Sequence, residues 1–167
     1  QKESYKVLSI DLRGHGQSIS KDGRTVGWQT FSEKDFNDMI LDVKAAKGFL
    51  EQKNVKKFVV IGASIGANIA VNYAAEDTEI NGVILLSPGL DYRGVKSEGS
   101  IKDYGNRPIL IVASEDDEYS ASSSKTLNDV AVGKKELKLY ETAGHGNRMF
   151  PNTDLDKVII NWLKSNV

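Results

Sequence analysis

Ser64 stands in the stretch VVIGASIGAN, residues 59–68, with a glycine two positions away on either side, Gly62 and Gly66. A serine hydroxyl is a weak nucleophile near neutral pH. It needs an imidazole to take its proton and a carboxylate to fix that imidazole's tautomer. The G-x-S-x-G spacing suits the nucleophile because a serine on a sharp strand-to-helix turn is held in strained backbone geometry, with small residues on both sides. A helix starting just after Ser64 also aims its free amides and positive end at a developing oxyanion. The amide of Ile65 is the expected first donor.

The chain has only two histidines, so the base is His15 or His145. His145 lies between Gly144 and Gly146 in ETAGHGNRMF, after the last apolar alternating run, and it follows Ser64 and the acidic residues in the order Ser, Asp, His. His15, in DLRGHGQS, reads as structural or pocket-lining. For the acid, SEDDEYS offers Asp117 first and Asp116 second, with Glu115 and Glu118 as solvated neighbours; Asp91 is a separate candidate one strand earlier. No metal set is visible in the sequence. Ser64 occupies the place of the second glycine in a dinucleotide fingerprint, and no G-K-[ST] marks a P-loop. No cofactor is implied.

These residues need a frame that brings strand ends together. YKVLSIDL (5–12) reads as a strand and FSEKDFNDMILDVKAAKGFLEQK as a helix, with Phe36, Met39, Ile40, Val43, Ala46, Phe49 and Leu50 at helical spacing and a capping box from Ser32 to Asp35. KKFVVIGAS, NGVILLSP and RPILIVAS are short apolar runs without alternation, as expected of strands covered on both faces. A helix follows Ser64, a loop spans about 89–107, and a helix is predicted over 120–132. KELKLYET alternates like a strand nearer an edge. The last helix places Leu155, Val158, Ile159, Trp162 and Leu163 on one face. Strand followed by helix, repeated, predicts one α/β domain over 1–167: a mainly parallel sheet of about five strands with helices on both faces and functional groups at the carboxyl ends of the strands.

Composition narrows the partners. Lys plus Arg number 22 against 23 Asp plus Glu, a net charge of -1, so nothing attracts nucleic acid or an acidic membrane broadly. The absence of cysteine excludes disulfides, thiolate metal sites and a cysteine nucleophile. No apolar stretch reaches the ~20 residues of a membrane span. No charged-then-apolar signal opens the sequence, which makes the cytoplasm the expected compartment.

Taken together, the motifs resemble the α/β-hydrolase family over almost the whole chain. SIDLRGHGQS is similar to its D-x-R-G-x-G-x-S segment, GASIGA to its nucleophile elbow, PILIVASEDDEYS to its acid-bearing strand end and AGHG to its histidine loop; Ser114 stands where the acid motif often has glycine. The resemblance implies Ser64 as nucleophile, Asp117 as acid, His145 as base and Ile65 as one oxyanion donor. It also places DLRGHGQS on the family's fourth strand, so the earlier strands and the loop of the second oxyanion amide are to come from a missing N-terminal segment or a second chain. Alternatively the chain is a fragment, or residues 5–12 pair beside the strand before Ser64 in a reduced five-stranded sheet. The segment after VILLSPGL is too short for a helical cap, which implies an open site. The expected function is that of a serine carboxylesterase on small or exposed acyl esters; the alternative is a non-catalytic binding module or inactive fragment of the same fold.

Overall fold

The computed structural model describes residues 5–167, which divide into two compact units, one up to Lys56 and one from Lys57 to Val167. The first holds a two-stranded antiparallel ladder, β1 (Ser20–Lys21) with β2 (Arg24–Thr25), and two helices, α1 (Glu33–Asn37) and α2 (Ile40–Glu51). The capping box at Ser32 forms as the sequence predicts: Asp35 N–H donates to the Ser32 hydroxyl and Ser32 N–H donates to the Asp35 carboxylate. The single helix expected beyond it is two. At Met39, Leu41 and Asp42 the amides bond three residues back instead of four, and this tighter turn separates α1 from α2. Arg13 closes the unit with a guanidinium fork on the Asp42 carboxylate.

Residues 5–12 are not a strand. They make no ladder, and Val7 stays 79% exposed. An apolar run becomes a strand only through ladder hydrogen bonds and packing from a neighbour, and the run alone supplies neither. The expectation of a strand over 5–12 is corrected accordingly, and the main sheet has four strands where about five were expected.

The second unit carries the sheet. Its strands are β3 (Phe58–Ala63), β4 (Ile80–Leu86), β7 (Ile109–Ser114) and β8 (Lys135–Tyr140), all parallel, in the spatial order β3-β4-β7-β8. Between them run α3 (Ile65–Glu76), the small hairpin of β5 (Asp91–Tyr92) and β6 (Val95–Lys96), α4 (Glu98–Asp103) and α5 (Glu118–Val130). A 3-10 turn over Gly146–Asn152 leads into the last helix, α6 (Leu155–Asn166). Each crossover steps the same way across the sheet, so right-handed connections place α3 and α5 on one face. The other face belongs to α6: Leu155, Ile159 and Trp162 pack on Ile84, Leu86, Leu110 and Val112. The alternate residues Val83, Leu85, Ile109 and Ile111 point oppositely and are fully buried too. Central strands therefore bury both faces, each large side chain contributing about 1.5–3 kcal/mol, and this explains why β4 and β7 read as unbroken apolar runs.

Strand register sets the upper rim. Ala63 pairs with Leu86, Leu86 with Val112 and Ser114 with Tyr140. The ladder continues one residue further: Ser64 N–H donates to Leu86 O, Ser87 N–H to Val112 O and Glu115 N–H to Tyr140 O. β3 and β4 thus end level with each other, and β7 and β8 end level with each other two residues further on.

Candidate active site

Ser64 caps the N-terminus of α3 at φ 56°, ψ −129°. A non-glycine residue there carries about 1–3 kcal/mol of backbone strain, which only a rigid surround sustains. Gly62 supplies that surround by its bareness: a Cβ on it would lie 2.0 Å from the Gly66 carbonyl oxygen. Gly66 itself faces open space, so the need for a small residue falls on one side of the elbow. Ile65 is the first residue of α3, and its amide has no carbonyl a turn earlier to bond.

Asp117 and His145 meet at the same rim. Asp117 is the N-cap residue of α5, one turn earlier than the predicted helix start, and His145 follows β8. The His145 Nδ1 lies 2.6 Å from Asp117 Oδ2. A carboxylate only accepts, so the neutral ring carries its proton on Nδ1 and presents the Nε2 lone pair. Burial pushes the Asp117 carboxyl up, but hydrogen bonds from Ser120 and His145 and the histidine's charge outweigh it, and the net shift is downward. The acid is therefore ionised at neutral pH.

The histidine loop is gripped on both sides. Gly144 N–H donates to both oxygens of Asp116, at 3.1 and 3.2 Å, and Ala143 N–H donates to the Ser114 hydroxyl at 2.8 Å. Ser114 in turn donates to Asp116. On the far side Gly146 N–H donates to the Ser87 hydroxyl at 2.8 Å. Ser87 is fully buried at φ 49°. Gly146 also sits where a Cβ would be 3.6 Å from the Ala63 side chain, which brings the histidine loop against the residue preceding Ser64.

The other sequence candidates have different roles. Asp116 binds the loop backbone, not the ring. Asp91 accepts from Gly94 N–H at 2.7 Å and closes the β5-β6 turn. His15 stacks on Trp28 in the first unit and contacts Arg13 O through Nδ1. Three residues that sequence reasoning missed stand at the rim: Tyr92, Ser87 and Ser120. None of the three had a signal; Ser114, which did stand out for replacing glycine in the acid motif, binds the loop through its hydroxyl. Among the described residues no group of three or more His, Asp or Glu could hold a metal ion, and no helix is long and apolar enough to cross a membrane.

A strained serine on a strand-helix elbow beside a histidine-carboxylate pair, on a parallel sheet, is the arrangement of an α/β-hydrolase. A family model described as Hydrolase_4, serine aminopeptidase S33, matches residues 1–104, and the chain belongs to that family. Ser64 lies within the matched range; Asp117 and His145 lie beyond it. The chain is similar to the AB hydrolase superfamily protein YisY of Bacillus subtilis (strain 168), 33% identical over 88 residues, 52% of this chain and 28% of that protein. The match thus spans less than a third of that relative's length. Among solved structures, the Pyrococcus furiosus esterase Pf2001 superposes with a TM-score of 0.74 at 19% identity, covering 98% of this chain and 72% of the other. MenH from S. aureus superposes with a TM-score of 0.71 at 17% identity, covering 94% and 82%. At such identities the likeness establishes the fold.

Proposed function

We propose that the chain is a serine hydrolase cleaving carboxylic esters of small or exposed acyl groups through Ser64, His145 and Asp117. One observation carries this reading: the 2.6 Å His145–Asp117 contact on the rim where Ser64 is held at positive φ. His145 Nε2 takes the Ser64 proton as Oγ bonds to the ester carbon and the carbonyl electron pair moves to oxygen. Asp117 holds the ring tautomer and stabilises the imidazolium. The amide of Ile65 donates to the oxyanion, a contribution worth about 10²–10³ in turnover for one donor of this kind. The imidazolium then protonates the leaving alcohol, and water repeats the sequence to free the acid.

Turnover of p-nitrophenyl acetate tests it. The wild type is expected to hydrolyse the ester faster as the imidazole loses its proton with rising pH, and Ser64→Ala to fall by at least about a thousandfold. A folded Ser64→Ala protein with wild-type turnover contradicts the reading. The family model's description, a serine aminopeptidase, favours peptide bonds as a second substrate class. Release of p-nitroaniline from aminoacyl anilides by wild type, lost in Ser64→Ala, would move the assignment there.

A further inference from the structure

Ser87 follows β4 at φ 49° and is fully buried. Glycine takes this left-handed backbone at little steric cost, so a side chain kept there must supply something that glycine cannot. Every polar group of Ser87 is engaged. Its N–H donates to Val112 O at 2.7 Å, and its carbonyl accepts from the Tyr92 hydroxyl at 3.3 Å and, at a long 3.5 Å, from the Ser120 hydroxyl. Its own hydroxyl accepts Gly146 N–H at 2.8 Å. The backbone bonds are open to any residue, and only the last one needs a serine.

That bond joins the base to the strand that holds the nucleophile. Leu86 O, one residue before Ser87, accepts Ser64 N–H at 2.8 Å, while Gly146, one residue after His145, is bound by the Ser87 hydroxyl. Leu86 and Ser87 are thus a common anchor for Ser64 and His145. Gly146 also stands against Ala63, the residue before Ser64, whose side chain an added Cβ would meet at 3.6 Å. The other ties of the histidine loop lead elsewhere. Ala143 and Gly144 donate to Ser114 and Asp116 at the end of β7, on the side of Asp117. Those bonds fix the base relative to the acid, and the Ser87 bond fixes it relative to the nucleophile. Tyr92 braces the anchor from the β5-β6 hairpin, which Asn68, Ser97 and Tyr119 hold down by bonds to the backbone of Val95, Gly89 and Asp91.

We propose that Ser87 is a positioning residue whose hydroxyl, through Gly146, sets the spacing between Ser64 and His145. The inference rests on the serine hydrolase reading above. His145 is flanked by Gly144 at φ 76° and Gly146 at φ 59°, so its loop has many other conformations open to it when nothing holds the backbone. A bond on each side removes that freedom. Transfer of the Ser64 Oγ proton to His145 Nε2 falls off steeply with misplacement of either group. Ser87 therefore acts on this transfer and leaves the His145–Asp117 bond as it is. Its own hydroxyl neither gains nor loses a proton.

Ser87→Ala removes the hydroxyl alone, and Ser87→Gly removes it while relaxing the backbone, so an effect shared by both belongs to the hydrogen bond and not to strain. Ser87→Gly carries the test if Ser87→Ala does not fold. Fluorophosphonate labelling rates and p-nitrophenyl acetate kinetics are measured on wild type and both variants, referred to folded protein by circular dichroism. The low-field proton resonance of His145 Nδ1–H on Asp117 is recorded beside them. The expected result is Ser64 labelling in wild type and a fall of about ten- to a hundredfold in labelling rate and kcat in the variants, with KM within twofold. The low-field resonance is retained and the acid limb of the pH profile is unmoved. A wild-type kcat in either folded variant, with wild type labelled at Ser64, overturns this inference alone. So does a fall in kcat accompanied by loss of the low-field resonance, which would put the effect on the acid and base. A wild type that takes no probe at Ser64 overturns the hydrolase reading and this inference with it.

Discussion

A methyl group at Gly62 would stand 2.0 Å from a backbone oxygen that cannot move without unwinding the first turn of α3. Gly62→Ala is therefore expected to abolish Ser64 reactivity. Gly66→Ala meets nothing and is expected to leave ester turnover within a few-fold, with helix α3 stabilised by up to about 1 kcal/mol. Turnover and urea unfolding of the two variants check the contrast, and equal losses would contradict the one-sided elbow. Asp116 gives a pH test. Hydrogen bonds from Ser114 and from the Gly144 and Ala143 amides hold its carboxyl below the ordinary range. A depressed folded value means the stabilisation is complete above the unfolded carboxyl range and is lost as pH falls through the folded one. The stability gap between wild type and Asp116→Asn is expected to be constant near neutrality and to narrow below about pH 4. A gap that widens on acidification would contradict this clamp. The three residues proposed as the triad were legible from type, order and position. Tyr92, Ser87 and Ser120 were not, because a single tyrosine or serine carries no pattern until the chain folds it against something.

Arg107 shows how the elements are fastened below the site. Its guanidinium donates to the carbonyls of Ala74, Asp77, Ile80 and Tyr104 and stacks 4.1 Å from the centre of the Tyr104 ring. Ala74 and Asp77 belong to the end of α3, whose last carbonyls have no partner within the helix. One planar fork thus ties α3, the start of β4 and the end of α4. Arg107→Ala is expected to lose about 2–3 kcal/mol in urea unfolding, by the worth of hydrogen bonds from a charged donor, and Arg107→Lys to recover only part. Wild-type stability in Arg107→Ala would contradict that role. Elements with a dense apolar pattern were readable in the sequence: β3, β4, β7, β8, α3 and α6. Residues 5–12 have the same pattern but no ladder, since periodicity records what a segment can bury and not what lies beside it. The β5-β6 hairpin escaped notice for the opposite reason, being held by Asn68, Ser97 and Tyr119 instead of an apolar face.

Across the second unit, four parallel strands whose ends fall within two residues of one another bring separate loops to one rim, and that is why residues as distant in sequence as 64, 117 and 145 stand on it. The core supplies the stiffness that strained Ser64 and Ser87 require, with Ile84, Leu110 and Ile111 fully buried at its centre. The measurement that reaches the central claim most directly is an intact-mass spectrum after a fluorophosphonate, with Ser64→Ala alongside and the modified peptide mapped. A single adduct on Ser64 in wild type and none in the variant is the predicted result. An unmodified wild type, or an adduct that persists in Ser64→Ala, would contradict Ser64 as an activated nucleophile.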